Sequence, residues 1–318
     1  LPAGPFLLIA TVLATISWTI NKYKQEKAED LQKKAELEAS TPKKEILDSV
    51  QGVDMLELEV GYGLIKVVDS SKSGDLLERI SSIRKQFAFD LGILVPSVHI
   101  RDNLSLAAGE YRFLIKGSKI GGGILKPDML MAMDPGNVSE RIEGIPTKEP
   151  AFGLDAVWIS KAQKDKAEFS GYTVVDLPTV MATHITEMIR THAHELLGRQ
   201  EASQLIENFK KTHPKVVEDL IPDNMSLGGV VKVMQNLLKE QVSIRDLLTI
   251  FETLADDSPR IKDLDVLTEN VRKQLSRTIT EKYMNETGEI SVMTFDARLE
   301  ELISSSLLQT EQGIQLVM

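Results

Sequence analysis

Hydrophobic positions follow several different rhythms along this chain. Residues 1–21, LPAGPFLLIATVLATISWTIN, are uncharged. A helix of that length rises roughly 30 Å, about the thickness of a bilayer's hydrocarbon, and predicts a membrane span. Trp18 and Tyr23 sit at its end, where amphipathic rings favour the interface, and Lys22, Lys24 and Lys27 follow at once. By the positive-inside tendency the rest of the chain lies in the cytoplasm. A signal peptide is the rival reading, but it needs a basic leading segment and a small-residue cleavage site, and neither is present. A chain that starts inside a span is expected to be the C-terminal piece of a larger membrane protein.

Residues 22–54 change character. Lys, Glu, Ala and Gln dominate, apolar residues such as Leu31 and Leu37 are sparse, and Thr41-Pro42 breaks the run. This composition suits a solvated spacer. Ile46, Leu47 and Val50 give it a small apolar end, so the alternative is a tether that docks on a neighbouring subunit through Ile46 and Leu47.

From residue 55 the pattern is globular. MLELEVGYGLIKVVD alternates and then runs apolar, which predicts a strand. In DLLERISSIRKQFAFDLG the residues Leu76, Ile80, Ile83, Phe87 and Leu91 follow helical spacing, with Gly92 as the stop. VPSVHI, EYRFLIKG and DMLMAMD read as short strands. The three consecutive glycines of KIGGGILK predict a flexible hairpin turn. GLDAVWIS, a helix through KAQKDKAEF, and GYTVVD then form a β-α-β unit.

Helices take over after Leu177. Pro178 fits a first turn after Asp176, and further helical runs cover 199–211, 226–240, 244–254 and 263–285. EISVMTF returns to strand and DARLEELISSSLL to helix. A strand and helix with no partner strands look unfinished, so the C-terminus is expected to be cut short. The expected fold class is therefore α/β together with all-α, in several subdomains. A transmembrane helix (1–21) and a linker (22–54) precede a first α/β subdomain (55–127 plus 177–196) and a second (128–176), ferredoxin-like or thioredoxin-like in type. A helical subdomain (197–276) and a C-terminal α/β subdomain (277–318) complete the order.

Charge and composition narrow the chemistry. The formal net charge is −10, which argues against nucleic acid as a partner. Cysteine is absent, so disulfides, thiol nucleophiles and zinc-thiolate sites are excluded and a reducing compartment fits. Three of the five histidines sit in THITEMIRTHAHELLGRQEA, beside carboxylates. On one helix His184 and His192 are ~12 Å apart along the axis, too far to share an ion whose bonds are about 2 Å long. His192 and His194 point to opposite faces. Two half-sites remain, His184 with Glu187 and His192 with Glu195, and each lacks further ligands. A metal-dependent enzyme on those four residues is thus the weaker reading. Ile185, Met188, Ile189, His192 and Leu196 share a stripe, which places His192 in a core. No metal, cofactor or catalytic residue is expected. The glycine triplet lacks the Gly-Lys-Ser/Thr of a phosphate loop. SLGGVVKVMQNLLKEQVSIRD has a helix–turn–helix outline without a basic patch, so it reads as packing helices. Asp155, beside Trp158, reads as a turn or cap.

EVGYGLIKVVD, IRKQFAFDLGILVPSVHIRDN, EPAFGLDAVWI, ATHITEMIRTHAHELLGRQEA and VSIRDLLTIFETLAD occur in that order. Together they resemble the FlhA/InvA/LcrD family, the membrane export-gate components of flagellar and virulence type III secretion. The likeness covers nearly the whole chain, and VHIRDN, YRFLIKG and AFGLDAVWI resemble the flagellar branch. A virulence-injectisome paralogue is the alternative.

That resemblance implies an inner-membrane protein whose cytoplasmic part has four subdomains and assembles into a nine-membered homo-oligomeric ring. It implies a docking platform for flagellar export chaperones with bound substrates, working beside other export-gate proteins and the export ATPase complex. Transport would draw on the proton gradient and that separate ATPase. A chaperone groove between the first two subdomains is implied at Glu149, Phe152 and Thr183. Phe152 would be the apolar anchor, Glu149 a rim charge that aids orientation, and Thr183 a hydroxyl on the groove wall at the start of its helix. Glu149 stands where well-known members have Asp, and Leu47 stands where the tether often has Trp.

Overall fold

A computed structural model describes residues 53–68, 75–310 and 313–316. The predicted span at 1–21, nearly all of the linker, and the contact residues Ile46 and Leu47 lie outside the described residues. Among the described residues no helix is long and apolar enough to cross a membrane.

The first sheet runs in the order β2-β1-β3-β4. Strand β1 (Leu56–Val60) pairs in parallel with β2 (Val98–Asp102) and antiparallel with β3 (Glu110–Ile115), so it is central and all five of its residues are buried. Leu56, Leu58 and Val60 face the core, while Glu57 and Glu59 face the other way, as the period of two requires. Two buried carboxylates need partners. Arg101 supplies them, with Nε 2.9 Å from Glu57 Oε1 and Nη2 2.7 Å from Glu59 Oε1. Burial works to raise the Glu59 carboxyl, but hydrogen bonds from Asn103 and Arg101 outweigh it and the net shift is downward.

The predicted strand over MLELEVGYGLIKVVD stops at Val60, and a helical turn follows at Tyr62–Leu64 and Ile65–Val68. Gly61 makes that bend, because a Cβ there would lie 2.0 Å from the Ala107 carbonyl oxygen. Helix α1 (Leu76–Asp90) matches its apolar spacing, burying Leu76, Ile80 and Phe87, and Gly92 follows at φ +76°.

The glycine triplet corrects the sequence reading. It lies inside strand β4 (Ser118–Ile124), and the hairpin turn is Lys116-Gly117, both at positive φ. The glycines serve close approach. A Cβ on Gly121 would lie 2.6 Å from Met188 Sδ, and one on Gly122 would lie 2.4 Å from the Tyr111 carbonyl oxygen.

The second sheet runs β6-β7-β5-β8, from β5 (Leu130–Met133), β6 (Ile145–Lys148), β7 (Asp155–Ile159) and β8 (Thr173–Val175). Helix α2 (Lys164–Phe169) carries the chain from β7 to β8, and β5 sits between those two strands, so the expected β-α-β unit is present in split form. Met131, Ala156 and Trp158 join the large core shared with the first sheet, while Ala132, Ile159, Ala167 and Tyr172 form a small core on the opposite face.

Helix α3 (Leu177–Thr191) lies against α1 and over the glycines of β4. Asp176 caps it by accepting from the Thr179 N–H at 3.0 Å, with Pro178 in the first turn as expected. It ends at Thr191. His192, at φ −103° and ψ 16°, breaks the run before α4 (Ala193–Leu196), so the histidine stretch is not one helix.

The helical region adds α5 (Arg199–Lys210), α6 (Pro214–Asp219), α7 (Leu227–Lys239), α8 (Leu247–Asp257), α9 (Leu264–Gln274) and α10 (Ser276–Tyr283). Helix α7 is the hub, burying Val230, Val231, Val233, Met234, Leu237 and Leu238. Ser226, Asp246 and Asp263 cap α7, α8 and α9 through their side chains. The sequence missed α6, and the run predicted over 263–285 divides at Leu275.

The predicted strand EISVMTF is absent; residues 290–295 form neither helix nor strand. Alternation gives a segment strand propensity, but a strand also needs an edge to pair with. Helix α11 (Ala297–Ser305) and a hairpin of β9 (Leu307–Thr310) and β10 (Gly313–Leu316) follow.

Candidate functional site

The loop between β6 and β7, residues 149–154, is fixed by its own hydrogen bonds. The Glu149 N–H donates to the Leu154 carbonyl at 2.8 Å, and the Gly153 N–H donates back to the Glu149 carbonyl at 2.9 Å. Gly153 sits at φ +70°, where a Cβ is disfavoured. The Glu149 carboxylate then closes the turn. Oε1 accepts from the Ala151 N–H at 2.8 Å and Oε2 from the Phe152 N–H at 2.7 Å.

This corrects the part given to Glu149. It is 3% exposed, so its charge is not on a rim. The turn holds it inward and sends Phe152 outward, 62% exposed, with Leu154 exposed beside it. Asp155 pairs with Lys148 at 2.9 Å.

A buried polar pair lies on the first sheet and α3. The Tyr111 hydroxyl and His184 Nδ1 are 2.6 Å apart, with the rings edge-on. Burial, and next to it the charge of Glu149, pushes the Tyr111 phenol well above its usual range. Burial pulls His184 below its usual value, while Glu149 and Glu187 oppose that fall. Tyr111 is therefore a neutral donor and His184 a neutral acceptor at Nδ1, a tautomer assigned from the hydrogen bond. Glu149 acts on both rings, so the loop and α3 share one electrostatic neighbourhood.

Thr183 precedes His184 and is half-buried, in the middle of α3 and not at its start. Glu149 and Phe152 are thus locked into one turn, while Thr183 lies on α3 beside His184. None of the three lines any of five cavities found among the described residues. Sequence reasoning passed over Tyr111 and weighed His184 only as half of a metal site. Their signal was the glycine triplet opposite Tyr111, which marks a strand approached closely by something large.

The other histidines part company. His192 is half-buried, with Nδ1 2.7 Å from Glu195 Oε1, so the buried imidazole of α3 is His184 and not His192. His184 bonds Tyr111 and His192 bonds Glu195, so the two half-sites do not converge. Among the described residues no group of three or more His, Cys, Asp or Glu could hold a metal ion.

A family model described as the FHIPEP family matches residues 1–318. The flagellar biosynthesis protein FlhA of Bacillus subtilis (strain 168) is 45% identical over 308 residues, covering 96% of this chain and 45% of that protein. Its namesake in Escherichia coli (strain K12) is 43% identical over 313 residues, covering 98% and 45%. The chain thus spans about 45% of the length of these curated relatives. Among solved structures, the CdsV protein of Chlamydia pneumoniae superposes with a TM-score of 0.73 at 29% identity, covering 84% of this chain and 79% of that one. A nonameric SctV-C from EPEC gives 0.65 at 25% identity, with the same coverage. A further solved structure holds the C. pneumoniae CdsV and CdsO proteins in complex, with a TM-score of 0.72 at 27% identity, covering 82% of this chain and 76% of that one. The mixed α/β fold of several subdomains is common to them.

Proposed function

The chain belongs to the FHIPEP family, and on that premise we propose that it is the docking part of a membrane component of the flagellar type III protein export apparatus. Its surface takes export chaperones carrying their substrates. Phe152 is the anchor, Glu149 belongs to the same turn, and Thr183 stands on the neighbouring helix. The work is binding, with no bond made or broken and no cofactor. The observation that carries this reading is a large aromatic held 62% exposed on a turn whose backbone is already fixed. Groups ordered before binding lose less freedom on complex formation, and aromatic anchors dominate interface energetics.

The remaining assignments follow the same premise. Residues 1–21 anchor the chain in the inner membrane and the bulk faces the cytoplasm. Residues 55–127 with 177–196, 128–176, 197–276 and 277–318 are four subdomains, the first two of ferredoxin-like or thioredoxin-like type. Nine copies form a ring, as in the SctV-C relative, and Ile46 and Leu47 of the linker reach the next copy. Other export-gate proteins and the export ATPase complex are further partners.

Co-purification tests the anchor. Full chain carrying Phe152→Ala should lose capture of a flagellar chaperone–substrate pair while keeping its fold, and undiminished capture would overturn the docking surface. The fold shared with SctV-C and CdsV suits a virulence-injectisome paralogue as second reading, while the higher identity to the flagellar relatives favours the first. The chaperone that co-purifies separates the two.

A further inference from the structure

Glu149 is shaped unlike a contact residue. It is 3% exposed, and each carboxylate oxygen already accepts a backbone N–H of its own turn. No basic side chain among the described residues lies within ion-pair distance of it, so the anion is held by amide dipoles. A carboxylate held this way fixes two successive residues, because Ala151 and Phe152 can turn only by giving up a charge-assisted bond.

We propose that Glu149 is a positioning residue that aims Phe152, and that its carboxylate does not touch the docked partner. The inference rests on the docking reading for its purpose, but its geometry is testable in the free protein.

Amide hydrogen exchange on the unliganded full chain supplies a readout that no partner contact can move. Glu149→Gln places an NH2 donor against an N–H. It should lower protection of the Ala151 and Phe152 amides about ten-fold and weaken capture of a purified flagellar chaperone–substrate complex by a similar factor. The salt dependence of capture should not change. Glu149→Asp, which keeps both accepting oxygens, should restore protection and capture. Unchanged protection in Glu149→Gln, together with weaker salt dependence of capture, overturns the proposal and makes Glu149 a direct contact. If Glu149→Gln does not fold, the wild-type chain decides: Ala151 and Phe152 amides that exchange as fast as an unbonded loop would sink the idea. Failure of the docking reading looks different: Phe152→Ala captures normally while the exchange results stand.

Discussion

Two segments push large apolar side chains into solvent, and they do so on different terms. Phe152 is 62% exposed, while Met293 and Phe295 are 101% and 69% exposed. The 149–154 turn holds Phe152 by bonds to its own amide and to those on either side of it. Two strands clamp it, and Trp158 of the second strand, 2% exposed, roots it in the shared core. Residues 290–295 take part in no hydrogen bond among the described residues and belong to no element. Exposure is greater there, yet a partner binding it must also order the backbone, at roughly 1–2 kcal/mol per residue. Exposure alone marks surface; a fixed backbone under the exposed ring makes an anchor.

The heaviest blow to that contrast comes from underneath. Trp158→Ala removes the largest fully buried side chain of the core and should destabilise the fold by about 3–5 kcal/mol, read as a lowered urea midpoint. A loss under ~1 kcal/mol would mean that the turn does not depend on the core below it. Next comes Phe152→Ala. Stability should stay within ~0.5 kcal/mol, while chaperone capture weakens by about 2 kcal/mol or more, roughly thirty-fold, measured by titration calorimetry.

Much of the scaffold behind this contrast was legible. Helix α1 announced itself by the spacing of Leu76, Ile80 and Phe87, and α3 by Asp176 and Pro178. These are local signals, and local signals survive into the fold. Phe152 was legible only through family likeness. The glycine triplet was misread because its reason is tertiary: Met188, 65 residues or more downstream, needs the room. Glu149 reads as exposed by default, since carboxylates are rarely buried without partners. Here its partners are the amides of its own turn, which composition does not reveal. His184 and His192 share similar surroundings in sequence, yet His184 is buried inside α3 and His192 is half-buried at its end. EISVMTF shows the reverse failure, a strand pattern without a neighbouring edge.

Acid offers a gentler probe of the same core. His184 is buried and neutral, with its folded pKa below the ordinary 6.5. Between those two values the unfolded chain binds more protons than the folded one, so stability rises with pH there. The contribution is fully present above pH ~6.5 and is lost as pH falls toward the folded value. One proton gives a slope of at most ~1.4 kcal/mol per pH unit. His184→Gln should flatten that slope in unfolding experiments from pH 7.5 to 5. An unchanged slope in that variant would mean that His184 is not kept neutral by the core.

The smallest expected effect is the most useful control. Met293 is fully exposed and touches no element, so Met293→Ser removes no buried area and breaks no hydrogen bond. Surface changes of this kind stay within about 0.5 kcal/mol of wild-type stability, and capture should shift less than two-fold. A purely area-based account of docking expects the opposite order, because Met293 offers more open surface than Phe152. If Met293→Ser weakened capture more than Phe152→Ala, exposure would outrank preorganisation, and the 290–295 segment would become the docking surface in place of the 149–154 turn.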